Sequence, residues 1–178
     1  MIRALMVLAL LATPAMAEVG DLLIDDGDTN PEEQTLKYFT DKYDYGNGKS
    51  TACVYGYWAS KSGNHDAAKK IFDKCAAAGV AAAYPWQSYI SQNGYGVPQS
   101  LEAAAEWDRK SAAMGYKVGQ FNYGLNLLRG FGVPKDEAAG RAMMNASAAQ
   151  GFEAAQDVID SGYDPEVAIP DADEKRIY

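Results

Sequence analysis

The chain has 178 residues, with 24 acidic against 16 basic side chains and a net charge of −8. It has no basic stripe to displace counterions from phosphates, which argues against nucleic acid and anionic lipid surfaces as partners. The length suits one domain with a sizeable core or a short array of repeats.

Residues 1–17, MIRALMVLALLATPAMA, read as a signal peptide. They carry one positive charge at Arg3, an apolar run from Ala4 to Leu11 and a small-x-small end at Ala15-Met16-Ala17. That run is too short to span a bilayer and nothing later is long and apolar enough, so no membrane insertion is expected. Cleavage near Ala17 predicts a periplasmic or secreted protein. Residues 18–29 follow as an acidic arm. From Glu18 to Gln34 there are seven acids and no base, whereas Ser50 to Ile159 holds ten Lys/Arg against nine Asp/Glu. Thr29 or Asn30 then supplies a cap, Pro31 a first turn, and Glu32 and Glu33 charges that suit the positive end of a helix. This predicts an amino-terminal capping helix.

The middle of the chain repeats itself. Gly94 and Gly130 are 36 residues apart, as are Gly96 and Gly132, Pro98 and Pro134, and Gly115 and Gly151. Each unit reads as a helical hairpin. Gly119 to Arg129 is a first helix, Gly130 to Lys135 a loop, and Asp136 to Gln150 a second helix. The loop glycines Gly94, Gly96, Gly130 and Gly132 are expected to turn the chain at positive φ, and Pro98 and Pro134 to stop the first helix from running on. Ser100 and Asp136 are then placed to cap the second helices. An upstream copy with Gly56, Ala68, Phe72 and Cys75 is four residues shorter, because the stretch ASKSGNHD lacks the Gly-x-Gly-Val insertion. The second copy has Ser88 at the small helix-packing position and Pro85 early, which predicts a shortened first helix.

Cys53 and Cys75 are the two cysteines, and in an exported chain they are expected to form a disulfide. Cys53 opens the first helix and Cys75 closes its antiparallel partner. Closing this 22-residue separation contributes about 3 kcal/mol in the chain-entropy model. His65, the only histidine, falls in a polar turn with no nucleophile near it. Glu102 and Glu106 share a helix face with Lys110, which suits a solvated surface better than a catalytic pair. The acidic LIDDGDTNPEE lacks the ligand order of a calcium loop. No catalytic residue, metal or cofactor is expected.

The spacing Gly56, Ala68, Phe72 with a small residue at 75 resembles a tetratricopeptide repeat, and the 36-residue units are similar to Sel-one-like repeats. The resemblance implies an all-α, αα-hairpin solenoid of about three repeats with terminal capping helices. The repeat domain would span 30–160, with repeats near 48–82, 83–118 and 119–154, an incomplete fourth hairpin after Gly151 as a cap, and a mobile tail over 161–178. It also implies a non-enzymatic scaffold that takes a protein or peptide partner on the face of its first helices. The equivalent outward positions are Tyr57 and Lys61, Tyr89 and Asn93, and Leu125 and Arg129. Cysteine-rich relatives that bind penicillin-like compounds raise the alternative of an envelope hydrolase or a cell-wall ligand-binding protein. The Ser-x-x-Lys signature of such serine enzymes does not occur in this chain.

Overall fold

The computed structural model describes Leu36, residues 38–45 and residues 51–168. The expected signal peptide over 1–17 and acidic arm over 18–29, the expected cap residues up to Glu33 and the chain beyond 168 lie outside the described residues. Among the residues described from 51 onwards, seven α-helices follow one another: Val54–Lys61 (α1), His65–Ala77 (α2), Ala83–Asn93 (α3), Leu101–Ala113 (α4), Lys117–Arg129 (α5), Glu137–Ala148 (α6) and Glu153–Asp160 (α7). A π-helical turn at Tyr38–Lys42 and a 3-10 turn at Thr51–Cys53 precede α1, and a 3-10 turn at Pro165–Ala168 follows α7. There is no strand among the described residues. Each helix packs on the next in chain order, so α1/α2, α3/α4 and α5/α6 are three stacked hairpins and α7 closes the far end. The architecture is an all-α hairpin solenoid.

Local chemistry sets the helix ends. The side chains of Asn64, Ser100 and Asp136 accept hydrogen bonds from the amides of Ala67, Ala103 and Ala139, which starts α2, α4 and α6. Gly94 and Gly130 end α3 and α5 in the left-handed region, with φ of 72° and 73°. The second glycine of each loop does something different. A Cβ on Gly96 would lie 2.9 Å from Asp66 Oδ1, and one on Gly132 would overlap the backbone carbonyl of Leu101. Each Gly-x-Gly loop is therefore seated on the helix start of the preceding repeat. Val97 packs back onto the core, while Pro98 and Pro134 stay exposed. Helix α3 begins at Ala83, two residues before Pro85, whose missing N–H lies in the first turn and so deprives no partner.

The buried side chains form two clusters. One gathers Phe39, Ala59, Ile71, Phe72, Cys75 and Ile90. The other gathers Phe121, Leu125, Leu128, Met144, Ala155 and Val158. Full burial of each large side chain stabilises the fold by roughly 1.5–3 kcal/mol. Within the second and third hairpins a serine ties the helices together. Ser111 Oγ donates to the Ala81 carbonyl at 3.1 Å, and Ser147 Oγ donates to the Lys117 carbonyl at 2.8 Å. Cys75 stands 36 residues before Ser111 and occupies the same register. There the tie is covalent: Cys53 and Cys75 form a disulfide with a Cα separation of 6.0 Å.

Residues 161–168, at the start of the expected mobile tail, make contacts with the array. Tyr163 Oη donates to Asn145 Oδ1 at 2.8 Å, Arg141 lies over the Tyr163 ring, and Arg129 donates to the Pro165 carbonyl at 2.6 Å. Prolines and acids gave this stretch no apolar period, yet polar contacts to α5 and α6 hold it.

Candidate interaction face

Helices α1 and α3 lie against α2, which puts their aromatic side chains in one connected run. Tyr57 meets Trp58 at 5.6 Å between ring centroids and Trp86 at 5.2 Å. Trp86 meets Tyr89 edge-on at 6.1 Å, and Tyr89 meets the loop residue Tyr95 at 5.5 Å. Tyr95 stacks on His65 at 4.1 Å. The run therefore crosses from repeat one to repeat two and back. Trp58 is 63% exposed and Tyr89 43%, so large apolar surface remains open to a partner. Lys61 Nζ sits 5.8 Å from the Tyr57 ring centroid, and Asn93 Nδ2 donates to the Tyr89 carbonyl at 2.8 Å.

The third pair of expected rungs is not on this face. Leu125 is 7% exposed and belongs to the carboxy-terminal core with Ala155 and Val158 of α7. The reason is the closing helix: α7 and the 3-10 turn bury the apolar side of the third repeat that an uncapped array would leave open. Arg129 is engaged by the same segment, through the Pro165 carbonyl and an ion pair with Glu166 at 3.6 Å. His65 is likewise more than a solvated turn residue. It starts α2, stacks on Tyr95, and its Nδ1 is buried without a hydrogen-bond partner. Glu106 pairs chiefly with Arg109, whose Nε and Nη2 lie 2.6 and 2.8 Å away. That hydrogen bond holds the exposed carboxylate below its ordinary pKa.

An apolar cleft of about 380 Å³ opens at the same end of the face, lined by Cys53, Val54, Tyr57, Phe72, Ala82, Ala83 and Trp86. Phe72 and Trp86 stack in parallel at its floor, 5.6 Å apart. One repeat further on, the corresponding residues are Asp108 and Asn122. Asp108 is 3% exposed and accepts hydrogen bonds from Ser88 Oγ at 2.7 Å, Asn122 Nδ2 at 3.2 Å and Asn126 Nδ2 at 2.9 Å. Burial pushes its carboxyl up to about 6, against the pull of these three donors. The group is enclosed and spent on its neighbours, so it joins α3, α4 and α5 and does not face a substrate. Sequence reasoning passed over it because EWDRK looks like a solvated stretch of helix.

Comparison with known proteins agrees with this geometry. A model of the Sel1 repeat matches residues 76–116 and 117–152. A solved Sel1 repeat protein from Oxalobacter formigenes is 26% identical, with a TM-score of 0.55, covering 58% of this chain and 42% of that one. A protective antigen of uropathogenic Escherichia coli with an SLR fold is 28% identical, with a TM-score of 0.60, covering 72% of this chain and 29% of that one. The chain thus spans less than half the length of either of these two. Cysteine rich protein B of Helicobacter pylori shares the fold at 18% identity and a TM-score of 0.56, over 74% of this chain and 98% of its own. No curated protein matches the sequence. Two of the three hairpins thus match the Sel1 repeat, and the hairpin before them, which lies outside the match, stacks on them in the same way.

Proposed function

We propose that this protein is an exported scaffold that holds an extended peptide or protein partner on the α1 and α3 face, in envelope regulation or assembly. The observation that carries the reading is the connected aromatic run from Trp58 through Tyr57, Trp86 and Tyr89 to Tyr95. Rigid aromatic side chains bury much area at little entropic cost and are the usual anchors of protein interfaces. The rungs are Tyr57, Lys61, Tyr89 and Asn93, with Trp58 added. Export is supported by the signal-like start of the sequence and by the disulfide. Among the described residues no helix is long and apolar enough to cross a membrane.

The test is photo-crosslinking in the exporting cell from single sites. A crosslinker at Trp58 and one at Tyr89 should capture the same partner, while one at the exposed Arg109 on α4 should not. Capture from Arg109 alone would move the interface to the second helices and end this reading.

A further inference from the structure

We propose that the Cys53–Cys75 disulfide is a redox latch on the first repeat, opened by a dithiol reductant that reaches Cys53 while the rest of the array stays folded. The first hairpin depends on this bond in a way that the others do not depend on theirs. In the second and third hairpins a serine hydroxyl closes the same register, and a Gly-x-Gly loop seats the hairpin on its predecessor. The first hairpin has neither device. Its loop over residues 62–64 lacks the insertion, and its first helix has 8 residues against 11 and 13 in α3 and α5. Besides the disulfide, α1 is held on α2 by the amino-terminal core, where Phe72 lies under Gly56, Ala59 is buried and Phe39 stacks on Tyr55.

Access to the bond is one-sided. Cys75 is fully buried, whereas Cys53 is half-buried and forms part of the cleft wall. A thiolate of the reductant attacks Cys53 Sγ, the S–S bond breaks, and Cys75 leaves as a thiolate that takes up a proton. The second thiol of the reductant then attacks the mixed disulfide and releases Cys53 as a thiol. The reductant leaves as a disulfide, and two electrons have passed to the protein. Helix α1 carries Tyr57, Trp58 and Lys61, and its start supplies Cys53 and Val54 to the cleft. Unlatching therefore dismantles one side of the interaction face, a consequence that rests on the proposed function.

Amide hydrogen exchange of the full chain, oxidised and after treatment with dithiothreitol without denaturant, tests the latch directly. The expected result is exchange at least tenfold faster over residues 51–77, with residues 101–152 changed by less than about twofold. The double variant Cys53→Ser/Cys75→Ser should reproduce the reduced pattern without any reductant. Equal acceleration of both regions would make the disulfide a general staple. No acceleration, or a bond that dithiothreitol cannot reach until the protein is unfolded, would also overturn the latch. Crosslinking from Tyr89 on α3 under reduction separates the two readings. If exchange follows the expected pattern and capture is unchanged, the latch stands and α1 is not part of the interaction face.

Discussion

At Asp108 the second repeat places a carboxylate where the third has the fully buried Met144, 36 residues on. Ser88 replaces Gly124 in the same comparison, so the acceptor and one of its donors appear together. The folded pKa of about 6 lies above the ordinary 3.8, so the fold favours the protonated form. Its contribution is complete below the unfolded pKa and declines as pH rises through the folded value, the reverse of an ion-paired aspartate. At roughly 1.36 kcal/mol per unit, stability relative to Asp108→Asn should fall by about 2 kcal/mol between pH 4 and pH 7. Urea unfolding of both proteins across that range measures the difference, and parallel curves would contradict it. A second residue-scale expectation concerns Gly132, with φ of 70° and no room beside the Leu101 carbonyl. Gly132→Ala should cost more than about 2 kcal/mol. Gly115→Ala, at φ 76° but in open space, should cost about 1 kcal/mol. Equal unfolding midpoints would show that the seat on the preceding helix does not matter.

The helical hairpins were readable because the features that end and start helices recur at a fixed distance. A left-handed glycine, a proline and a capping Ser or Asp each act through the local backbone, so sequence shows them directly. Side-chain exposure depends on what packs across, and Leu125 was misplaced for that reason. An aliphatic side chain on a first helix looks the same whether or not a further helix covers it, and here α7 does. Asp108 could have been found by aligning the repeats, since a charge in the register of Met144 must find donors or lie outside. The same alignment yields a prediction at the level of the hairpin. Pro85 and Ser111 correspond to Cys53 and Cys75, so Pro85→Cys/Ser111→Cys should form a second disulfide on oxidation. Peptide mapping should find the 85–111 pair. Free thiols at both positions under oxidising conditions would show that the two hairpins are not equivalent in geometry.

Across the whole molecule, the two apolar clusters meet at a polar junction rather than merging. Ser88, Asp108, Asn122 and Asn126 join α3, α4 and α5 between them. A buried network of this kind strengthens a fold when complete and weakens it sharply when one member is lost. Asp108→Ala should therefore leave two amides and a hydroxyl without their acceptor and uncouple the halves. Tryptophan fluorescence, dominated by the amino-terminal aromatic run, and far-ultraviolet circular dichroism should then give separate urea transitions. Coincident transitions, as expected of the unaltered protein if it unfolds in two states, would refute the uncoupling.

The seating of each Gly-x-Gly loop on the helix before it also gives the array a direction in time. Gly96 needs the start of α2, and Gly132 needs the start of α4, whereas neither helix start needs the loop that leans on it in order to be capped. A chain emerging amino terminus first thus meets each docking surface after it has been made. Reversing the order of synthesis, for instance by joining a carboxy-terminal half made beforehand to a late amino-terminal half, would present the loops with nothing to rest upon. The protein is assembled like masonry, each course laid on the one below.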